Sequence, residues 1–187
     1  MLSTAKRQEA AAAALLERRL ECMFSRLAVP KRAKVFRSGG AWLRLEEVLF
    51  PGYLFVKTAC REKLAEALLK SRFFPQPVGP KDRPGQGNKG QGRRDAGAAM
   101  VPVEEADLAF LQDVCGKDLT EVMGVSRITL GEDGEIVETQ GALLPYLDRL
   151  VKLNLHKRFA IVEIPLFNRT QRVLFGVELL KEEESIG

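Results

Sequence analysis

The sequence predicts an α+β protein in two parts, a helix-containing N-terminal domain and an all-strand C-terminal barrel. Three observations carry this. Apolar residues recur at helical spacing in three segments before residue 118, with strand-like segments between them. A stretch without large aliphatic residues interrupts that first part. From Val125 onward the apolar period falls to two, with turn residues every few positions.

The spacing predicts a first helix over residues 3–27. Ser3 or Thr4 can cap it, with Gln8 or Glu9 as the capping-box partner. Leu15, Leu16, Leu20, Met23, Phe24 and Leu27 form its buried stripe, and Pro30 ends it. Lys34-Val35-Phe36-Arg37 and Trp42-Leu43-Arg44-Leu45 read as hairpin arms about the turn Ser38-Gly39-Gly40. An apolar run follows from Val48 to Val56. Pro51-Gly52 bends its entry, and Tyr53 to Val56 reads as a central buried strand. Alternation puts Tyr53 and Phe55 on one face, opposite Leu54 and Val56.

Residues 60–71 read as a second helix with Leu64, Ala67 and Leu68 inward, and Phe73-Phe74 as the start of a short strand. Residues 79–97 contain no aliphatic side chain larger than alanine. Such a segment cannot repay the entropy of ordering, so a flexible basic insert is expected over 79–98. Pro102 to Val114 reads as a third helix with Leu108 and Leu111 inward.

In the C-terminal part, Gly131-Glu132-Asp133-Gly134 is a hairpin turn flanked by Ile128, Leu130, Ile136 and Val137. Leu150 to Leu153, Phe159 to Ile164, Arg172 to Phe175 and Val177 to Leu180 are further strands. Short strands at this spacing suggest a small barrel that closes its own edges. The expected division is a domain over 1–118, a linker over 119–124 and a barrel over 125–187.

Composition narrows the function. A net charge of +4 is mildly basic and points to an acidic partner such as nucleic acid. Cys22, Cys60 and Cys115 lie far apart and His156 is the single histidine, which excludes the usual zinc spacings. Reduced thiols in a cytoplasmic protein are expected, with no metal and no cofactor. No apolar run reaches membrane-spanning length and the N-terminus has no signal-peptide pattern, so no membrane partner is expected. There is no phosphate-binding glycine loop, and Glu104-Glu105 suits the dipole at a helix start. With no catalytic constellation, the chain is not expected to be an enzyme.

Charge is segregated in the C-terminal part. Residues 149–172 hold six basic side chains and one acid, Glu163, while residues 125–187 as a whole carry a net −2. Lys157, Arg158 and Arg169 fall in or beside turns, where side chains reach outward. Asn154 and His156 add neutral hydrogen-bonding groups beside them. Such a set can hold phosphates and read a few base edges. A solvated charged face is the plain alternative.

Two motifs carry a family resemblance. Leu49-Phe50-Pro51-Gly52-Tyr53-Leu54-Phe55-Val56 resembles the signature of the N-terminal domain of the NusG transcription-elongation family. Gly141, followed by Leu150-Val151-Lys152-Leu153 and Phe159-Ala160-Ile161-Val162-Glu163, resembles a KOW motif. Asn154-Leu155-His156-Lys157-Arg158-Phe159-Ala160 and Phe175-Gly176-Val177-Glu178-Leu179 resemble the LoaP branch of specialised NusG paralogues. Together they cover nearly the whole chain, in the family's order.

The resemblance implies an NGN-type α/β sandwich, an antiparallel sheet with flanking helices, followed by a small SH3-like KOW barrel. It implies a processive antiterminator that acts as a monomer in nucleoid-associated transcription complexes. Phe50, Pro51, Gly52, Tyr53 and Phe55 would then receive the clamp coiled coil of RNA polymerase. Arg149, Lys152, Asn154, His156, Lys157, Arg158, Arg169 and Arg172 would meet nascent RNA, as a structured leader hairpin; a partner protein is the other ligand the barrel could take. Two departures stand out. Only Met1-Leu2 precedes the first helix, so the family's opening strand is expected to be absent or the start truncated. Ala142-Leu143-Leu144-Pro145-Tyr146 replaces the usual second glycine of the KOW turn. A ribosome-associated KOW protein is the alternative reading.

Overall fold

The computed structural model describes residues 1–79 and 100–180. In chain order the elements of the first part are β1 (Leu2–Ser3), α1 (Glu9–Leu20), β2 (Arg26–Ala28), β3 (Lys31–Ser38), β4 (Ala41–Val48), β5 (Tyr53–Lys57), α2 (Arg61–Leu69), β6 (Gln76–Pro77), α3 (Glu105–Cys115) and β7 (Val122–Met123). The second part holds β8 (Ser126–Leu130), β9 (Ile136–Gln140), β10 (Leu150–Asn154), β11 (Phe159–Leu166) and β12 (Arg169–Leu179). The α+β class expected from the sequence is the class observed.

The opening strand exists. Leu2 pairs with Leu54 of β5 on one side and Pro77 of β6 on the other, in a sheet of order β2-β5-β1-β6. Two residues suffice because β5 is central and its backbone groups need partners on both edges. The expected helix over 3–27 is correspondingly shorter. Ser3 lies in β1 and the helix starts at Glu9, with no side-chain cap bond at Gln8. Glu9 serves another purpose: its buried carboxylate accepts the Gly52 N–H at 2.6 Å. Beyond Leu20 the chain makes a 3₁₀ turn over Glu21–Met23 and then pairs with β5, so Leu27 belongs to a strand.

Leu2, Leu16, Leu54, Leu64 and Leu68 form the core on the helix side of this sheet. Leu54 and Val56 therefore face α1 and α2, as alternation predicted, while Tyr53 and Phe55 face the other way. Phe73-Phe74 is not a strand; Phe73 is exposed and the strand is Gln76–Pro77. In α3 the inward residues are Phe110, Leu111, Val114 and Cys115, whereas Leu108 is exposed. Gly116 closes that helix at φ 73, and a Cβ there would lie 2.4 Å from Glu121 Oε1.

Residues 119–124 are more than a tether. Val122 and Met123 pair in parallel with Lys31 and Arg32 of β3, and Leu119 and Met123 are buried. The second part forms a five-stranded sheet of order β10-β11-β12-β8-β9, antiparallel except for the β12–β8 pair. It curves as a half-barrel: β9 and β10 are its edges, so the expected closed ladder is not formed among the described residues. Arg169–Leu179 runs as one strand where two were expected.

The half-barrel does not stand apart. Phe50, Phe55, Phe110 and Leu111 from the first part share one buried cluster with Ile128, Val162, Phe167 and Phe175 from the second. The two parts approach closely at Gly176, where a Cβ would lie 2.7 Å from the Ala33 carbonyl oxygen. The basic insert expected over 79–98 lies, apart from Gly79, outside the described residues. No helix among the described residues is long and apolar enough to cross a membrane.

Candidate nucleic-acid interface and apolar face

The run into β5 is shaped by a β-turn. The Tyr53 N–H donates to the Phe50 carbonyl at 3.2 Å, with Pro51 and Gly52 at the central positions and Gly52 at φ 92. Proline presets φ at the first of these, and only glycine adopts a positive φ at the second without strain. The turn aims Phe50, Tyr53 and Phe55 at the side of the sheet away from α1 and α2.

That apolar face is not open. Phe50 and Phe55 are buried, and the ring that covers them is Phe167 from the β11–β12 turn. Phe167 meets Phe50 edge-on at 5.4 Å and lies 6.1 Å from Phe55. The expected open depression is therefore filled by the chain's own half-barrel. Pro51 is exposed, Gly52 is buried, and Tyr53 is half-buried at the rim.

The covering turn is itself unusual. Leu166 pairs with Arg169, leaving Phe167 and Asn168 as a two-residue loop with φ of 55 and 61. A type I′ turn wants two positive φ values, which asparagine tolerates and a bulky phenylalanine resists. Burying the ring, together with the Phe167 N–H bond to buried Asp107 Oδ1 at 2.9 Å, offsets that strain. Asp107 sits on α3, so the turn is held from both the sheet and the helix. On the far side Tyr146 meets Phe110 edge-on and donates to Asp113 Oδ2 at 2.6 Å. Burial first, then this bond to a carboxylate, pushes the Tyr146 phenol well above its ordinary range.

The eight basic and polar residues expected on one RNA-facing edge fall in three places. His156, Lys157 and Arg158 lie on the β10–β11 turn and line a groove of about 400 Å³ against the β3–β4 hairpin. Arg169 and Arg172 line a larger cleft of about 810 Å³ with Lys6, Arg7, Tyr53 and Gln171. Arg149, Lys152 and Asn154 line neither groove. Arg149 contacts Asp148 at 3.6 Å, and Lys152 is exposed on edge strand β10. Asn154 has a structural task, since its Oδ1 accepts the Lys157 N–H at 2.8 Å and shapes the turn.

The cations differ in how far they are committed. Arg172 pairs with Glu163 directly across the β11–β12 ladder at 2.9 Å. Arg169 Nε is buried with no hydrogen-bond partner among the described residues, and so is Arg158 Nη1. The Arg158 guanidinium lies 4.8 Å from the Trp42 ring centroid. Arg32 reaches Glu47 and the Leu174 carbonyl; its burial lowers its pKa, and Glu47 opposes that shift.

Sequence reasoning missed the hairpin's share in this surface. Phe36, Arg37 and Trp42 enter the second groove from β3 and β4, and Lys6 and Arg7 enter the first from the loop before α1. The available signal was the one tryptophan of the chain, placed next to a Gly-Gly turn with Arg37 and Arg44 close by in sequence. Among the described residues no group of histidine, cysteine and carboxylate side chains is arranged to hold a metal ion. Compared with known proteins, the chain matches no family model, and no curated protein matches it.

Proposed function

We propose that this chain is a transcription-elongation factor of the NusG type, acting as a processive antiterminator that links RNA polymerase to a structured leader RNA. The observation that carries the proposal is the apolar face of Phe50, Tyr53 and Phe55, set by the Pro51-Gly52 turn on the side of the sheet away from the helices. A cluster of rigid aromatic side chains is the composition of a protein-docking core. Its partner in this reading is the clamp coiled coil of polymerase. The N-terminal part takes the role of the NGN domain and the half-barrel that of the KOW domain.

Since Phe167 covers Phe50 and Phe55, docking of polymerase through this face requires the half-barrel to withdraw that ring. The exposed turn residues His156 and Lys157, with Arg158 and Arg169, supply the RNA-facing charge in this reading. Pull-down of core polymerase by the full chain tests it, with Tyr53→Ala as the comparison. Retention of polymerase, weakened by the substitution, is the expected result. Sedimentation with ribosomes and no retention of polymerase would favour a ribosome-associated role instead.

A further inference from the structure

The groove between the β3–β4 hairpin and the β10–β11 turn joins two parts of the molecule that the sequence keeps more than a hundred residues apart. Trp42 and Arg37 face each other across the hairpin register, close to its tip. Trp42 remains 41% exposed, an uncommon state for so large an aromatic ring in a folded chain. Arg158 reaches it from the other side, its backbone at φ 53 and its guanidinium 4.8 Å from the ring centroid. One guanidinium nitrogen, Nη1, is buried without an acceptor among the described residues. A buried donor left unpaired costs free energy that an incoming acceptor recovers.

Cations outnumber carboxylates around this pair, and Glu178, the carboxylate whose charge Arg158 feels, is already paired with Arg44. Arg37 and Lys157 are exposed, and no described carboxylate lies within ion-pair distance of either or of Arg158. Lys34 is drawn toward Glu47 at 3.5 Å and stays half exposed. Phe36 adds a second ring to the lining. A flat, partly open indole, a guanidinium donor lacking an acceptor and flanking cations together match one ligand chemistry. A base stacks on the ring, its edge or its phosphate accepts from the guanidinium, and neighbouring phosphates sit on Arg37 and Lys157. An acidic peptide would satisfy the cations but has no use for the exposed indole face.

We propose that this seam is a binding site for an unpaired nucleotide of RNA, with Trp42 as the stacking platform and Arg37, Lys157 and Arg158 as the phosphate- and base-binding groups. The inference rests on the RNA-binding half of the proposed function and adds to it the N-terminal hairpin, which then shares the RNA with the half-barrel.

Trp42 is the only tryptophan in the chain, so its emission reports the site directly. The experiment titrates the full chain with a single-stranded RNA hexamer, an RNA duplex without overhangs and polyglutamate. Fluorescence anisotropy of labelled RNA measures binding, and Trp42 emission measures stacking. Saturable quenching by the hexamer at the concentration where it binds is expected, with no quenching by the duplex. Trp42→Ala should weaken hexamer binding by roughly tenfold, the effect of losing one base–aromatic stack. Trp42→Phe should restore most of it, which separates stacking from damage to the hairpin. Hexamer binding with unchanged Trp42 emission and undiminished affinity in Trp42→Ala would overturn the seam site and leave RNA binding by the half-barrel standing. Equal quenching by polyglutamate would overturn it in favour of an acidic protein partner. Absence of RNA binding at any ionic strength would overturn both this inference and the RNA half of the proposed function.

Discussion

The ring of Phe167 stands on the ring of Phe50 at 82° with 5.4 Å between centroids, an edge-to-face contact that joins the half-barrel to the strand run of the N-terminal part. Phe167 is 3% exposed, yet it sits in a turn at a φ that disfavours it. Packing therefore outweighs backbone preference at this position. An ordinary Phe→Ala change in a core costs about 3–5 kcal/mol. Alanine at φ 55 keeps most of the strain, whereas glycine relieves it, with a difference of about 1 kcal/mol. The expected order of stability is wild type, then Phe167→Gly, then Phe167→Ala, measured by urea unfolding. The reverse order of the two variants would mean that the turn is not strained. If the face beneath Phe167 is the polymerase site, both variants should also bind a clamp coiled-coil peptide more tightly than wild type.

Gly176 supplies a second test of the contact between the two parts. A methyl group there meets the Ala33 carbonyl at 2.7 Å, and that oxygen belongs to backbone, so relief requires β12 and β3 to move apart. Overpacking of this kind costs about 1–3 kcal/mol. Gly124 is the control, since a Cβ there has nothing within 4 Å and its φ is not positive. Gly124→Ala should fall within about 0.5 kcal/mol of wild type when both variants are compared by urea unfolding. Equal effects at the two glycines would show that the parts do not depend on this approach.

The elements most legible in the sequence are those with a local cause. The Gly39-Gly40 and Gly131 to Gly134 turns, the Pro51-Gly52 bend and the alternation of Tyr53 to Val56 each follow from a few adjacent residues, and each lies where it was expected. What escaped was set by distant partners. Leu2 is a strand residue because β5 and β6 leave a gap that two residues fill. Met123 is buried because β3 offers an edge to Val122 and Met123, not because the 119–124 segment has a pattern of its own. At the site, turn logic placed Lys157 and Arg158 on a projecting loop. It could not foresee that Trp42 lies against Arg158, because hairpin and loop meet only through the docking of the half-barrel. The Phe167-Asn168 turn was hidden for the same reason: a phenylalanine at positive φ makes sense only with Phe50 and Phe55 in view.

The three cysteines should separate cleanly by reactivity. Cys22 and Cys60 are exposed, whereas Cys115 is buried at the end of α3 and its thiol is directed at the Lys31 carbonyl, 3.7 Å away. Burial pushes the Cys115 thiol up to about 11, so almost no thiolate forms there near neutral pH. A thiol reagent at pH 8 should modify two residues quickly and Cys115 only after denaturant is added. Mass spectrometry of peptides identifies which. Fast modification of Cys115 in the native protein would mean that the α3–β3 contact opens readily.

Acid should loosen the docking of the half-barrel through one ion pair. Arg44 of β4 donates twice to Glu178 of β12, at 2.9 and 2.6 Å, and so ties the hairpin to the second part. The hydrogen bond from Arg44 is the main cause that holds the Glu178 carboxyl below its ordinary value of 4.5; Coulomb attraction from Arg44, Arg127 and Arg158 adds to it. A folded-state value below the unfolded one means that the carboxylate stabilises the native protein above about pH 4.5. That contribution fades as pH falls through the depressed folded value. The Arg44 side chain is 58% exposed, so screening keeps the pair to about 1 kcal/mol or less. Glu178→Gln should therefore be less stable than wild type by that small margin from pH 6 to 8. The two stability curves should converge as pH falls from 4.5 through that depressed value. Added salt should shrink the margin at neutral pH, because the pair is largely solvent-facing. Unfolding curves of both proteins across pH 3–8 at two salt concentrations make the measurement. A margin that stays constant down to pH 3 would assign the effect of the substitution to packing rather than to charge.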